Sequence, residues 1–207
     1  AFPEHLHGVK ACGLVWCCTG SDQQAEEALQ RARQVGEPMF EHVGRIPYPM
    51  LQSAFDELYA PGLQWYWKGD FVRELSDDAV AVHLEHGEVP TTHSTMHLYP
   101  IDGAVHDVGA GDTAFGYRDC TWSMVIAGVD PDPANAERIS AWARDYWGDL
   151  HPHSAGGAYV NFMMEEGDDR VKATYRDNYE RLVEVKTAYD PDNLFRVNQN
   201  IRPRGDA

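Results

Sequence analysis

Positive charge is scarce in this chain of 207 residues. Seventeen Lys and Arg stand against 33 Asp and Glu, for a formal charge of −16. The basic residues are scattered, with no stripe to neutralise phosphates, so nucleic acid is excluded as a partner. An acidic surface also repels anionic substrates, and a neutral or cationic small molecule is the expected partner. Cysteine is equally sparse: Cys12, Cys17, Cys18 and Cys120. Three of them crowd into one apolar run, a poor layout for a disulfide framework. The expectation is small buried hydrophobes in strands, and with it a reducing, cytoplasmic setting. No apolar stretch approaches the roughly 20 residues that a helical span requires, so a soluble chain without a membrane partner is expected. The opening Ala1-Phe2-Pro3-Glu4 has neither an initiator Met nor a signal-peptide pattern. The expectation is a fragment, a processed product, or a subunit that needs a partner.

What the chain does contain is apolar material: 43% hydrophobic residues and 11% aromatics, ample for a packed core. Val9 to Thr19 reads as a buried strand closed by Gly20. Ser21 and Gln24 have the spacing of a capping box. Ala25, Ala28, Leu29, Ala32 and Val35 then follow at helical period, up to Gly36 and Pro38. A short helix is expected over Tyr48 to Leu58 and an aromatic strand over Leu63 to Trp67. Asp70 to His86 reads as a helix. Strands are expected at His93 to Tyr99, Ala104 to Val108 and Cys120 to Val129. A helix starts at Asp130-Pro131, since Pro at the first helical position loses no hydrogen bond. It continues through Ala136, Ile139, Ala143 and Trp147. Ala158 to Met163 reads as a strand, Asp169 to Ala188 as one long charged helix, and the tail after Asp190 as irregular. Together these predict a single α+β domain over residues 1–207, an antiparallel sheet with helices packed on one face.

The C-terminal string Tyr189-Asp190-Pro191-Asp192-Asn193-Leu194-Phe195-Arg196-Val197-Asn198-Gln199-Asn200-Ile201-Arg202-Pro203 resembles the closing segment of berberine bridge enzyme-like FAD-linked oxidases. Upstream matches come in family order. They are Leu51-Gln52 with Phe55-Asp56, Pro61-Gly62, Trp67-Lys68-Gly69 with Glu74-Leu75-Ser76-Asp77, Gly103-Ala104-Val105, Thr113-Ala114-Phe115 with Arg118, and Gly157 to Phe162. The resemblance is to the substrate-binding, C-terminal domain of the family. It implies a flavoprotein that oxidises a C–OH or C–H group of a small molecule by hydride transfer to flavin, with oxygen as acceptor. Nothing in the chain resembles the Gly-rich loops that hold FAD in the family. FAD is therefore expected in the complete enzyme and not on this chain alone. An N-terminal FAD-binding domain or subunit is the expected partner, and residues 188–207 form a tail that would return to it. Self-association through the uncovered apolar surface is a further expectation. The alternatives are a stand-alone binding or scaffold module that has lost the chemistry, and one subunit of a two-chain oxidase.

By the resemblance, Tyr159 is the candidate base, with Asn161 beside it toward the flavin. A phenol of ordinary pKa near 10 needs a neighbouring base or positive charge to act so. Period 2 along a strand would place both side chains on one face. The alternative is a core Tyr next to a structural Asn. Asp107, on the strand expected at Ala104 to Val108, is the second catalytic candidate; its alternative is a solvated strand-edge carboxylate. The sequence Val108-Gly109-Ala110-Gly111-Asp112 departs from the family pattern there. Asn198 and Asn200 are the candidate flavin-side residues of the tail, or else caps of its irregular backbone. No metal is expected. His93 and His97 on a strand lie about 13 Å apart, too far for one ion, and His151-Pro152-His153 has no obvious third ligand. Trp65, Tyr66 and Trp67 alternate across a strand, so only one face of that run can meet a ligand.

Overall fold

Three strands carry the fold. The computed structural model describes residues 3–205, the Leu58 side chain excepted. Strands β1 (Gln64–Val72), β2 (Thr95–Pro100) and β3 (Trp122–Asp130) form an antiparallel sheet in the order β1-β3-β2. Among the described residues six α-helices accompany them: α1 (Asp22–Arg33), α2 (Tyr48–Ser53), α3 (Asp77–Glu85), α4 (Ala136–Leu150), α5 (Asp168–Tyr175) and α6 (Tyr179–Tyr189). The chain divides into two units, residues up to Ala60 and residues from Pro61 onward.

In the first unit, α1 starts as its capping box dictates. The Ser21 hydroxyl accepts from Gln24 N–H, and the Gln24 side chain accepts from Ser21 N–H. The run from Val9 to Thr19 is a correction: it is exposed and lies in no strand, although its composition suits one. Apolar, β-branched residues make a strand only where a ladder partner satisfies the backbone, and the sheet is made of β1, β3 and β2. Cys12, Cys17 and Cys18 are consequently exposed, not buried, and Cys120 alone among the four is buried.

In the second unit the central strand β3 is buried along nearly its whole length. One sheet face packs on α3 and α4: Val72, Met124 and Ile126 meet Ala79, Ala143, Tyr146 and Leu150, with Tyr66, Met96 and Leu98 at the margin. Gly128 permits the close approach of α4, since a Cβ there would overlap the Ile139 carbonyl. β1 extends to Val72, so the helix expected from Asp70 begins only at Asp77. There the Ser76 side chain accepts from Ala79 N–H. Pairing of Asp70 with Met124 and Val72 with Trp122 holds this stretch extended, a tertiary preference that outweighs the helical spacing. The helix expected from Pro131 is delayed as well. Asp132 caps a 3₁₀ turn at Pro133–Asn135, and α4 follows.

Three further expectations are corrected. Ala104 to Val108 is not a strand but a 3₁₀ turn, Gly103–Val105, entered through Gly103 at φ 58°. Arg118 pins it by donating to the Val105 carbonyl at 3.0 Å. Ala158 to Met163 is not a strand but a 3₁₀ turn, Val160–Phe162. The single helix expected over Asp169 to Ala188 is broken at Arg176, whose φ is 51°. The Arg176 guanidinium lies 3.6 Å from the Tyr117 ring centroid and 2.6 Å from Asp119 Oδ1, contacts that offset a left-handed backbone.

Burial and the neighbouring Asp119 push the Cys120 thiol up to about 11. Thiolate is the reactive form, so three of the four thiols of the native protein are expected to react promptly with a disulfide reagent at pH 8. The fourth should react only after denaturation; four prompt equivalents would contradict the burial of Cys120.

Candidate functional site

Alternation along the strands sorts the sheet into two unlike faces. Tyr66, Lys68, Asp70 and Val72 of β1 turn toward α4. Trp65, Trp67, Gly69 and Phe71 occupy the other face, in register with Val129, Ala127, Val125 and Ser123 of β3. On β2, Thr95, His97 and Tyr99 share that second face. The turn at Val160–Phe162 lies over it. Gly69 permits this, because a Cβ there would stand 3.2 Å from Phe162 Cβ and 3.0 Å from the Met124 carbonyl. The Phe162 ring then meets Trp67 at 6.1 Å, Tyr99 at 5.5 Å and Tyr159 at 5.1 Å between centroids.

A groove of ≈ 380 Å³ opens at this point. Phe71, Tyr99, Phe115, Ser123, Tyr159 and Phe162 line it, along with apolar neighbours and Arg118. Tyr159 is 39% exposed at its rim, and Asn161 Nδ2 donates to the Tyr159 hydroxyl oxygen at 2.8 Å. The pair foreseen from strand alternation is thus brought together by a turn. His97 stacks on Tyr99 at 5.6 Å, and burial holds it below the ordinary imidazole range. The sequence showed His97 only as half of an unsuitable metal pair, although its alternation with Tyr99 marks the shared face.

The other candidates lie elsewhere. Asp107 is exposed in the turn after Val105 and does not line the groove. Its expected strand is absent because the Gly-rich stretch closes on itself, Gly109 N–H donating to Asp112 Oδ2 at 3.0 Å. Asn198 is exposed with φ 60°, and Asn200 is half-buried with its Oδ1 unpartnered. Gln199 between them donates to the carbonyls of Met163 at 3.1 Å and Met164 at 3.0 Å, fastening the tail just beyond the Tyr159 turn.

Sequence reasoning missed the group behind the groove. Asp70 has no exposed surface. Its Oδ1 accepts from Arg170 Nη2 at 2.6 Å, and its Oδ2 faces His151 Nδ1 at 2.8 Å. Arg170 also donates to the carbonyls of Gly69 and Gly156, at 2.7 and 2.6 Å. Glu166 joins Lys68 at 2.7 Å, and both Lys68 and Arg170 lie over the Trp147 ring. Burial pushes the Asp70 carboxyl up; Arg170 and His151 oppose that rise. Phe71, the next residue, exchanges backbone hydrogen bonds with Ala155 and Gly157, at 2.7 and 2.6 Å. The chain entering Tyr159 is therefore held from both sides of β1. Only the order Asp-Phe-Val inside an apolar strand hints at this in the sequence.

Comparison with known proteins gives the class first. The chain is 27% identical to an FAD-linked oxidoreductase of Dictyostelium discoideum, over 89% of its own length and 41% of that protein. It is also 27% identical to an FAD-linked oxidoreductase, YgaK, of Bacillus subtilis, over 98% of its length and 45% of that protein. The fold matches that of CrmK, described as a flavoenzyme involved in shunt product recycling in caerulomycin biosynthesis. The TM-score is 0.73 at 22% identity, over 89% of this chain and 43% of that one. More particularly, residues 158–202 match the family described as berberine and berberine like. The chain is thus similar to FAD-linked oxidoreductases, with its match to the berberine and berberine like family confined to residues 158–202, and it spans under half the length of the curated relatives it matches.

Removing one partner of a buried ion pair strands the other charge, at a cost of about 3–5 kcal/mol. Arg170→Met is expected to destabilise the protein by about that much in urea titration. Asp70→Asn, which keeps an acceptor for the guanidinium, should cost less. Equal, small effects would show that the cluster holds nothing together.

Proposed function

We propose that this chain is the substrate-binding part of an FAD-dependent oxidoreductase that oxidises a C–OH or C–H group of a small molecule, with oxygen as acceptor. One observation carries the reading: Asn161 donates to the phenol oxygen of Tyr159 at the rim of an aromatic groove. FAD bound beside the groove would supply the hydride acceptor. This chain's own residues do the rest. Tyr159, as the phenolate formed once its own proton has passed to solvent at the exposed rim, takes the hydroxyl proton of the substrate, and Asn161 donates to the oxygen that receives it.

The fit to FAD is divided. The aromatic face and the Tyr159–Asn161 pair suit the neighbourhood of a flavin ring. The pyrophosphate is another matter. Each described helix of eight residues or more opens with acidic side chains: Asp22; Asp77 and Asp78; Glu137; Asp168 and Asp169; Glu180. Carboxylates there occupy the positive end of the helix and repel phosphate. The dinucleotide is therefore assigned to polypeptide other than these residues, an FAD-binding domain or a separate subunit.

A second reading, a binding module of the same fold without chemistry, draws on the altered loop at Gly109 to Gly111. That loop leaves Asp107 away from the groove.

In the complete enzyme, Tyr159→Phe is expected to lower turnover by about 10²–10⁴-fold, the usual worth of a positioned base, while the flavin spectrum persists. Unchanged turnover would sink the role of Tyr159 and favour the module. The purified 207-residue chain should show no visible flavin band. A band at stoichiometric strength would overturn the assignment of the pyrophosphate to other polypeptide.

A further inference from the structure

Two histidines at the C-terminal end of α3 grip one tyrosine of α4, on the sheet face away from the groove. His83 Nδ1 lies 2.7 Å from the Tyr146 hydroxyl, with the two rings edge-on at 5.7 Å between centroids. His86, one turn further on, lies flat against the same tyrosine at 4.7 Å and 11° between planes, and its Nε2 is 2.7 Å from Asp149 Oδ2. Tyr146 is buried in the core with Val72, Met124, Ile126 and Leu150, and Ala79 of α3 packs there too. These two imidazoles therefore carry side-chain hydrogen bonds from α3 to α4, and imidazole is the side chain whose charge changes nearest neutral pH.

The two rings are not equivalent toward a proton. A charge on His86 faces the Asp149 carboxylate. Among the described residues, His83 has the Tyr146 hydroxyl and the His86 ring beside it and no carboxylate bonded to it. The sheet beneath adds Val72, Met124 and Ile126, with Tyr66 at the margin. Burial first, and then His86, hold His83 below the ordinary imidazole range. A neutral ring accepts at Nδ1 from the Tyr146 hydroxyl; a ring protonated there does not. We infer that His83 and His86 form an acid-sensitive latch that seats α3 on the core, closed while His83 is neutral and released when it gains a proton. His83 binds that proton less readily in the folded chain than in the unfolded one. Stability is therefore complete above the unfolded value of about 6.5 and is lost as pH falls through the folded one. The latch lies across the sheet from the Tyr159 groove and does not depend on the function proposed for it.

Imidazole signals of the 207-residue chain, followed by two-dimensional NMR from pH 8 to pH 5, read the latch directly. His83 is expected as the neutral Nε2–H tautomer, titrating below the ordinary imidazole range. Hydrogen-exchange protection of the α3 amides, corrected for the pH dependence of intrinsic exchange, should fall about threefold to tenfold between pH 7 and pH 5. That is the effect of up to one extra proton bound on opening. Protection in β3 should fall less. Burial holds His97 low as well, so His83→Asn assigns the effect: it keeps an acceptor for the Tyr146 hydroxyl and has no ring to titrate. Its α3 protection should be equal at both pH values. His86→Gln, which removes the neighbouring charge, should move the His83 titration upward. The wild-type titration stands even if His83→Asn fails to fold. An Nδ1–H tautomer, titration at or above the ordinary range, an equal fall in β3, or the same fall of α3 protection in His83→Asn would overturn the inference.

Discussion

A carboxylate sealed from solvent organises the chain around the aromatic groove. Asp70 lies on the α4 side of β1, and a charge in that position is tolerable only while Arg170 and His151 hold it. Satisfying it recruits three pieces of chain at once: the end of α4 through His151, the start of α5 through Arg170, and the 154–157 segment through the Gly156 carbonyl. The next residue along the strand, Phe71, turns the opposite way. It forms part of the groove and fixes Ala155 and Gly157 by backbone hydrogen bonds. One dipeptide thus couples a buried ionic cluster on one face of the sheet to an aromatic groove on the other.

The groove has little charge chemistry of its own. Its walls are aromatic, its guanidinium is engaged, and its rim carries a phenol with an amide donor at its oxygen. Such a site suits a reaction in which a cofactor takes the electrons and the protein manages one proton and the orientation of an apolar substrate. The acidic helix starts agree with that division, since they are unsuited to the phosphate part of a dinucleotide.

Much of the fold was legible wherever the determinants are local. Ser21 and Gln24 announced α1, strand-forming composition announced the first half of β1 and most of β2 and β3, and Ile139, Ala143 and Trp147 traced α4. Tyr159 and Asn161 were legible as a pair because of the family string around them, although a turn and not a strand unites them. The failures share a cause. Asp70 and Arg176 adopt their conformations because of partners far away in sequence, and the segment from Val9 to Thr19 lies outside the sheet despite its composition. His151 and Arg170 are 81 and 100 residues from Asp70, and no periodicity reports such a contact.

The sequence by itself determined the class of fold and the acidic and aromatic character, because spacing, capping and composition act over a few residues, and its resemblance to a family string singled out the tyrosine with its asparagine. Only the tertiary structure decided that Ser123 lies between Phe71 and Tyr99, that Asp107 stands apart from the groove, and that Asp70 is clamped behind it. Those facts depend on strand register and on pairing of buried charges, and both are settled by free-energy differences between whole packings of the chain, not by any local preference.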